Sequence, residues 1–335
     1  MIFTSIVHPG ATAIRHPQRG LSLIELMIAL TIGMLIMAAL GALLLNITRN
    51  NSELAKANAQ IENGRFAIQV LQNDLIHAGF WGDLRPAVPA AIPDPCLAVA
   101  GWNAASNANM LGVPVLGYGS GTVPALCTTV SGAQANSDVL VVRHANTCIA
   151  GSTGCDGGTG DQYLQVSRCS TSAPPEASYV IGADYTNATT FPLRNKDCGA
   201  TIADRRKIVS NIYFISNNTL MRSAFVNGAH QTAQPLVDGI EALRFEYGID
   251  STGDGSPDSY LSSAPTTLLQ LANIVAVKVH VLARNLEATP GYVDSKSYQL
   301  GATSYTVPTA DVGFKRHVFS TTVRLVNPSG RREMP

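Results

Sequence analysis

"HPQRGLSLIELMIALTIGMLIMAALGALLL", residues 16–45, sets the frame for the whole chain. Arg19 and Gly20 stand directly before an apolar run, residues 21–45, that carries a single charge, Glu25. At 1.5 Å per residue such a run spans about 38 Å as a helix, enough to cross a hydrocarbon core of about 30 Å. A carboxylate near the bilayer centre costs roughly 2.5–3.5 kcal/mol, and less near the interface, so Glu25 is a functional candidate by default. In an ordinary secretory signal the apolar region precedes the cleavage site and leaves with it. Here the apolar run follows the boundary at Gly20.

The 335 residues are 46% hydrophobic and only 14% charged, which suits a globular protein with a substantial core plus one membrane segment. Lys+Arg and Asp+Glu both total 23, so no strong field draws the chain to nucleic acid. Arg15 and Arg19 precede the apolar run, and positive charge there keeps the N-terminal side cytoplasmic and sends the remainder across the membrane. All six cysteines, Cys96, Cys127, Cys148, Cys155, Cys169 and Cys198, fall beyond that segment, as expected of disulfides in an oxidising compartment. Six cysteines allow fifteen connectivities. Sequential pairing, with Cys148 and Cys155 closing a small loop, is the expectation. Structural zinc is the rival, but no pair has the C-x2-C or C-x4-C spacing of a knuckle.

Gly20 followed by "LSLIELMIAL" resembles the class III signal of type IV prepilins and type II secretion pseudopilins. The resemblance implies that a prepilin peptidase cuts after Gly20 and methylates the new N-terminus at Leu21. The family usually has phenylalanine there, so Leu21 is a departure that keeps a large apolar side chain. It further implies that Glu25 neutralises the N-terminal ammonium of a neighbouring subunit within a helical filament. In a low-dielectric core that pairing is strong and an unpaired partner is penalised, which would make Glu25 a register device and not a catalyst.

Beyond Leu45, Ile47, Leu54, Ile61, Ile68 and Leu75 recur every seven residues, with Ala57 and Leu71 between them. This predicts one continuing helix with a narrow apolar stripe, ending near Gly79. Gly64 and the incomplete second seam favour packing on the protein's own sheet over a coiled coil. A helix from about 21 to about 77 would be about 85 Å long, the stalk of a ladle. Residues 80–200 read as a loop-rich region with one strand, "SDVLVVRHA" at 137–145. "GSTGCDGGTGD" at 151–161 lacks the Gly-Lys-Ser/Thr ending of a phosphate loop. Residues 201–335 alternate apolar and polar side chains around Phe245, Val279 and Val323, and a hairpin turns at Asn217 and Asn218. That patterning predicts an antiparallel sheet with one buried face, covered by the helix.

"NGRFAIQVLQNDLIHAGFWGD" at 63–83 and "LVDGIEALRFEYGIDSTGDGSPDSY" at 236–260 resemble the PilW family of minor pilins. The resemblance implies an α+β pilin-like fold: leader 1–20, helix 21–79 (21–45 in the membrane or filament core, 46–79 amphipathic), Cys-containing loops 80–200 and sheet head 201–335. It implies a minor pilin that primes pilus assembly and stays at the tip. Its partners would be other minor pilins and the major pilin through their N-terminal helices, the prepilin peptidase and a tip adhesin. The protein would sit in the inner membrane with a periplasmic C-terminal domain, then in the filament. A J-type pseudopilin of type II secretion shares that architecture, and a tip-exposed adhesin is the reading from another class.

In "DSTGDGSPD", residues 250–258, Asp250, Thr252, Asp254 and Asp258 fall at calcium-loop positions 1, 3, 5 and 9, with Gly255 at the sixth. Leu261 replaces the bidentate glutamate at the twelfth, so calcium affinity should be modest, and a polar hairpin loop is the other reading. Calcium is the one cofactor the sequence raises, and none is required. The histidines at 77, 144, 230, 280 and 317 are scattered without an H-E-x-x-H pair, and no G-x-S-x-G elbow occurs. His280 is expected to be exposed. No catalytic constellation is present, and an enzyme is not expected.

Overall fold

The computed structural model describes residue 20 and residues 22–125, 127–155, 160–171 and 175–333. The chain falls into two compact units, the first ending at Leu54 and the second beginning at Ala55. The helix α1 (Leu23–His77) runs through both. Gly79, at φ +69°, ends it, because a left-handed residue there turns the chain away from the helix axis. The last carbonyls of a helix have no partner within it. Here those of Ile76, His77 and Ala78 face the Asn327 amide at 3.3–3.4 Å, and that of Gly79 accepts from Arg331 at 2.9 Å. Both side chains come from a short C-terminal helix that the sequence pattern does not announce.

In the second unit, β1 (Val115–Tyr118), β2 (Val139–Ala145), β3 (Gln162–Val166), β4 (Tyr179–Ala183) and β5 (Arg205–Ser216) form an antiparallel sheet in the order β1-β2-β5-β3-β4. β6 (Thr219–Val226) pairs with β5 across the turn at Asn217 and Asn218, and it carries β7 (Ala229–His230) and β8 (Gln234–Asp238). Both asparagines take positive φ, 50° and 57°, as a two-residue hairpin of this hand requires. A second antiparallel sheet joins β9 (Ile240–Ile249), β10 (Ser259–Leu261), β11 (Ile274–Arg284) and β14 (Arg316–Arg324) in the order β10-β9-β11-β14. Between its last two strands lies a hairpin, β12 (Ser297–Leu300) and β13 (Thr303–Thr306). The remaining helices are α2 (Ala104–Gly112), α3 (Leu268–Ala272) and α4 (Val326–Glu333).

Residues 60–77 of α1 close the core against both sheets. Gln60 donates from Nε2 to the carbonyls of Ala283 and Lys315, at 2.8 and 2.9 Å. One turn on, Gly64 faces the ring of Phe319 on β14. Ala67, Leu71 and Leu75 enter a single core with valines of β2 and β11, Ile212 and Phe214 of β5, and Phe245 and Tyr247 of β9. Asp74 then meets His144 of β2 at 2.9 Å and Asn211 of β5 at 3.0 Å. The buried stripe is therefore Gln60–Gly64–Ala67–Leu71–Leu75 and not the heptad through Ile61 and Ile68. Ile61 stays exposed and Ile68 is only partly buried. Small residues let the helix backbone approach the sheet, a criterion that ranking by hydrophobicity passes over.

Three further expectations are corrected. Residues 80–200 contain α2 and β1–β4, and β2 and β3 pair with β5, so no domain boundary lies near 200. The second sheet buries both faces: the β12–β13 hairpin lies over Ala242 and Leu282, and Leu300 and Tyr305 seal the layer. His280 is consequently 9% exposed, with Nδ1 2.8 Å from the Ser320 hydroxyl. Alternation along a strand shows two faces but not whether a later hairpin will fold over the polar one.

Candidate functional site

The first unit carries the feature that sets this chain apart from an ordinary globular protein. Every residue from 22 to 52 is exposed, including the apolar side chains of residues 23–45, so the described residues of this unit form no core of their own. By length and composition this helix can cross a membrane. In water such a surface would be strongly unfavourable, at about 25 cal/mol for each Å² of apolar area. Burial against a bilayer or other apolar helices would remove that cost.

At its start the sequence S-L-I-E builds a capping box. The Ser22 backbone N–H and hydroxyl donate to Glu25 Oε2 at 3.0 and 3.1 Å, and the Glu25 N–H donates to the Ser22 hydroxyl at 3.3 Å. Two helix-start donors that lipid could not satisfy are thereby paired inside the chain. Ser22 was legible as a partner from the S-x-x-E spacing alone, and attention to the lone charge hides it. Glu25 Oε1 takes no bond among the described residues. The carboxylate thus caps its own helix with one oxygen and can receive a cation on the other. Gly20 is exposed beside this box, and Leu21 lies outside the described residues.

The other candidate residues do not gather around Glu25. The cysteines pair in sequence order, Cys96–Cys127, Cys148–Cys155 and Cys169–Cys198, pinning the segments between α1 and β5. Asp94 lies close to Cys96 and Cys127, but the disulfide leaves no thiolate there to bind a metal. In the 250–258 loop, Asp250 is fully buried and accepts from the N–H groups of Gly253 and Gly255, at 2.5 and 2.9 Å, and from Arg332 at 3.3 Å. Burial works against its charge, and these donors outweigh it and hold the carboxyl below its usual range. Asp258 accepts from Ser251 N–H and hydroxyl at 2.7 and 2.8 Å and from Thr252 N–H at 3.0 Å, which also lowers its pKa. Asp254 bonds Ser256 N–H at 2.8 Å. The sequence's candidate calcium ligands are thus committed to donors of their own loop and α4.

Among the described residues, Asp74 and His144 form the one Asp–His pair that suggests hydrolytic chemistry, but His144 Nδ1 lies 2.9 Å from the Ala145 carbonyl, so both ring nitrogens are engaged. The pair ties α1 to β2 and leaves no nitrogen for a nucleophile.

Comparison with known families agrees with this geometry at both ends of the chain. Residues 15–41 match the family described as Prokaryotic N-terminal methylation motif. Residues 208–327, which run from β5 into α4, match the family described as Type IV Pilus-assembly protein W. Among solved structures, the chain is similar to the type IV-like pilin TTHA1219 from Thermus thermophilus, at 13% identity and a TM-score of 0.38, covering 80% of this chain and 96% of that one. No curated protein matches by sequence. The chain thus carries a segment similar to the N-terminal methylation motif on its exposed apolar helix and, beyond it, a segment similar to Type IV Pilus-assembly protein W.

Proposed function

We propose that the chain is a prepilin cleaved between Gly20 and Leu21, whose apolar segment 21–45 is stored in the inner membrane and then packs against those of other pilins. The carrying observation is the uncovered apolar surface of residues 23–45, with Glu25 at its N-terminal end and one carboxylate oxygen unbonded among the described residues. In this reading Oε1 takes the amino terminus of a neighbour while Oε2 keeps the helix start capped. Alignment of one helix end with the next sets axial register, since a buried ion pair tolerates little displacement. The head faces the periplasm, the chain helps to prime filament initiation with other minor pilins, and it remains at the tip. The match of residues 208–327 to the pilus-assembly family supports a pilus role over the type II secretion alternative.

Mass spectrometry of the mature N-terminus tests the first step. An N-methylated leucine from position 21 is expected, and an uncut chain would overturn it. Glu25→Ala should leave insertion and cleavage intact while incorporation into filaments falls. Loss of twitching in a deletion strain, with secretion unchanged, would separate the pilus role from the secretion one.

A further inference from the structure

The observation with no place in filament assembly is a buried cation. Arg143, in the middle of β2, is 1% exposed, and its guanidinium makes one recorded bond, from Nη1 to the Val113 carbonyl at 3.1 Å. Its Nη2 is buried with no hydrogen-bond partner. No carboxylate forms an ion pair with it among the described residues; burial, opposed by the nearby Tyr118 and by the charge of Asp94, pulls its pKa down to about 10, which leaves it charged at neutral pH. A guanidinium buried without an acceptor is costly, and such groups are ordinarily found with a bound anion or ordered water.

Arg143 lines a cavity of about 150 Å³. One wall is aromatic, Trp102 stacked on Phe225 with centroids 5.2 Å apart, and Ile92 and Met110 add apolar surface. The polar side chains on the wall have partners in the fold: Ser106 bonds the backbone of Asn103, Ser210 lies beside His230, Asn109 Oδ1 accepts from Ala90 N–H at 2.8 Å and Ala91 N–H at 3.2 Å, and Asp94 accepts from Cys96 N–H at 2.9 Å. Asp94 keeps its carboxylate charge, which acts on Arg143, while Nη2 of Arg143 is the buried donor left without an acceptor among the described residues, in a wall that is otherwise largely apolar and aromatic. A dry apolar cavity of about this volume accommodates benzene, and a planar carboxylate is the natural acceptor for a guanidinium fork.

We infer that this cavity is a binding site for a small organic monocarboxylate with a compact apolar or aromatic body, its carboxylate on Arg143 and its body against Trp102 and Phe225. The Cys96–Cys127 disulfide fixes the segment that carries Ile92, Pro93 and Asp94 over the site. Head stability would then respond to the ligand, since binding to the folded state alone stabilises it by mass action.

The test is saturation-transfer NMR and thermal denaturation of the full chain in detergent micelles, with sodium benzoate as probe and inorganic phosphate and chloride at matched ionic strength. Saturable benzoate binding with a rise in Tm is expected, at least tenfold weaker in Arg143→Met. Because that variant could fail to fold, Ile92→Trp, a substitution at a half-exposed wall position, serves as a second. It should block binding while its Tm without benzoate stays at the wild-type value. Phosphate binding as tight as benzoate, or equal benzoate binding by wild type and Ile92→Trp, would overturn the assignment. Absence of saturable binding to wild type would also overturn it and would assign water as the partner of Nη2.

Discussion

Gly64 of α1 lies against Phe319 of β14 so closely that a Cβ on the glycine would stand 2.1 Å from the ring. The ring is held in turn by edge contact with His317, centroids 4.7 Å apart. In a free helix Gly→Ala would stabilise by about 1 kcal/mol. Here the sign reverses, because overpacking at a fixed ring costs about 1–3 kcal/mol. Gly64→Ala should lower the Tm of the full chain in micelles by several degrees, and Phe319→Leu in the same chain should recover part of it. An unchanged or raised Tm for the single variant would show that the ring moves aside.

A buried charge cluster holds the β12–β13 hairpin on the second sheet. Arg316 donates to Glu241 at 2.6 and 3.0 Å and to Asp294 at 3.2 Å, with all three side chains almost wholly buried. Burial alone would lower the Arg316 pKa, but bonds to and charge of Glu241, then Asp294, outweigh it and raise it. Tyr305 and Tyr298 add bonds to the same carboxylates at 2.7 and 2.8 Å. Arg316→Met strands two buried carboxylates and should cost about 3–5 kcal/mol. Glu241→Gln, which keeps acceptor and shape, should cost less. Urea denaturation at pH 7 measures both, and equal small losses would show that the cluster is hydrated.

The apolar run, the helix end at Gly79, the turn at Asn217–Asn218 and the strands around Phe245, Val279 and Val323 were legible because each rests on local periodicity or turn chemistry. The helix face was not. Its contact with the sheet is made by Gln60, Gly64 and Ala67, whose value lies in small size or in reaching two carbonyls, and no hydropathy pattern marks that. The strands between the cysteines were missed for a similar reason: "QYLQV" and "YVIGA" are short and flanked by Gly, Pro and Ser, and only pairing with each other, and of the first with β5, makes them strands. At the candidate site Gly20 and Glu25 stood out by charge and position, whereas Ser22 stands out only once the S-x-x-E spacing is read as a capping box, whose bonds the structure shows.

Calcium should do little to this chain. Asp250 and Asp258 already accept six bonds of 3.0 Å or less or from Arg332, and a cation would have to displace them. Addition of millimolar calcium is expected to move Tm by less than a degree at constant ionic strength. A rise of several degrees that Asp254→Ala abolishes would instead show that the loop opens to bind the ion.

Acid should weaken the head through His230. The ring is buried between Ser210 and Ser223, with Nε2 3.2 Å from the Ser210 hydroxyl, and burial, reinforced by the charge of Arg143, pulls its pKa from 6.5 down to about 4. Between those values the unfolded chain binds a proton that the folded chain does not. Stability therefore rises with pH across this window and is lost as pH falls from about 6.5 towards 4, by about 3 kcal/mol in all. His280, whose pKa burial also lowers, contributes in the same direction. His230→Gln keeps a hydrogen-bonding side chain that does not titrate. Urea denaturation at pH 7 and at pH 4.5 should show a smaller loss for this variant than for the wild type. An identical loss would assign the acid sensitivity to other groups.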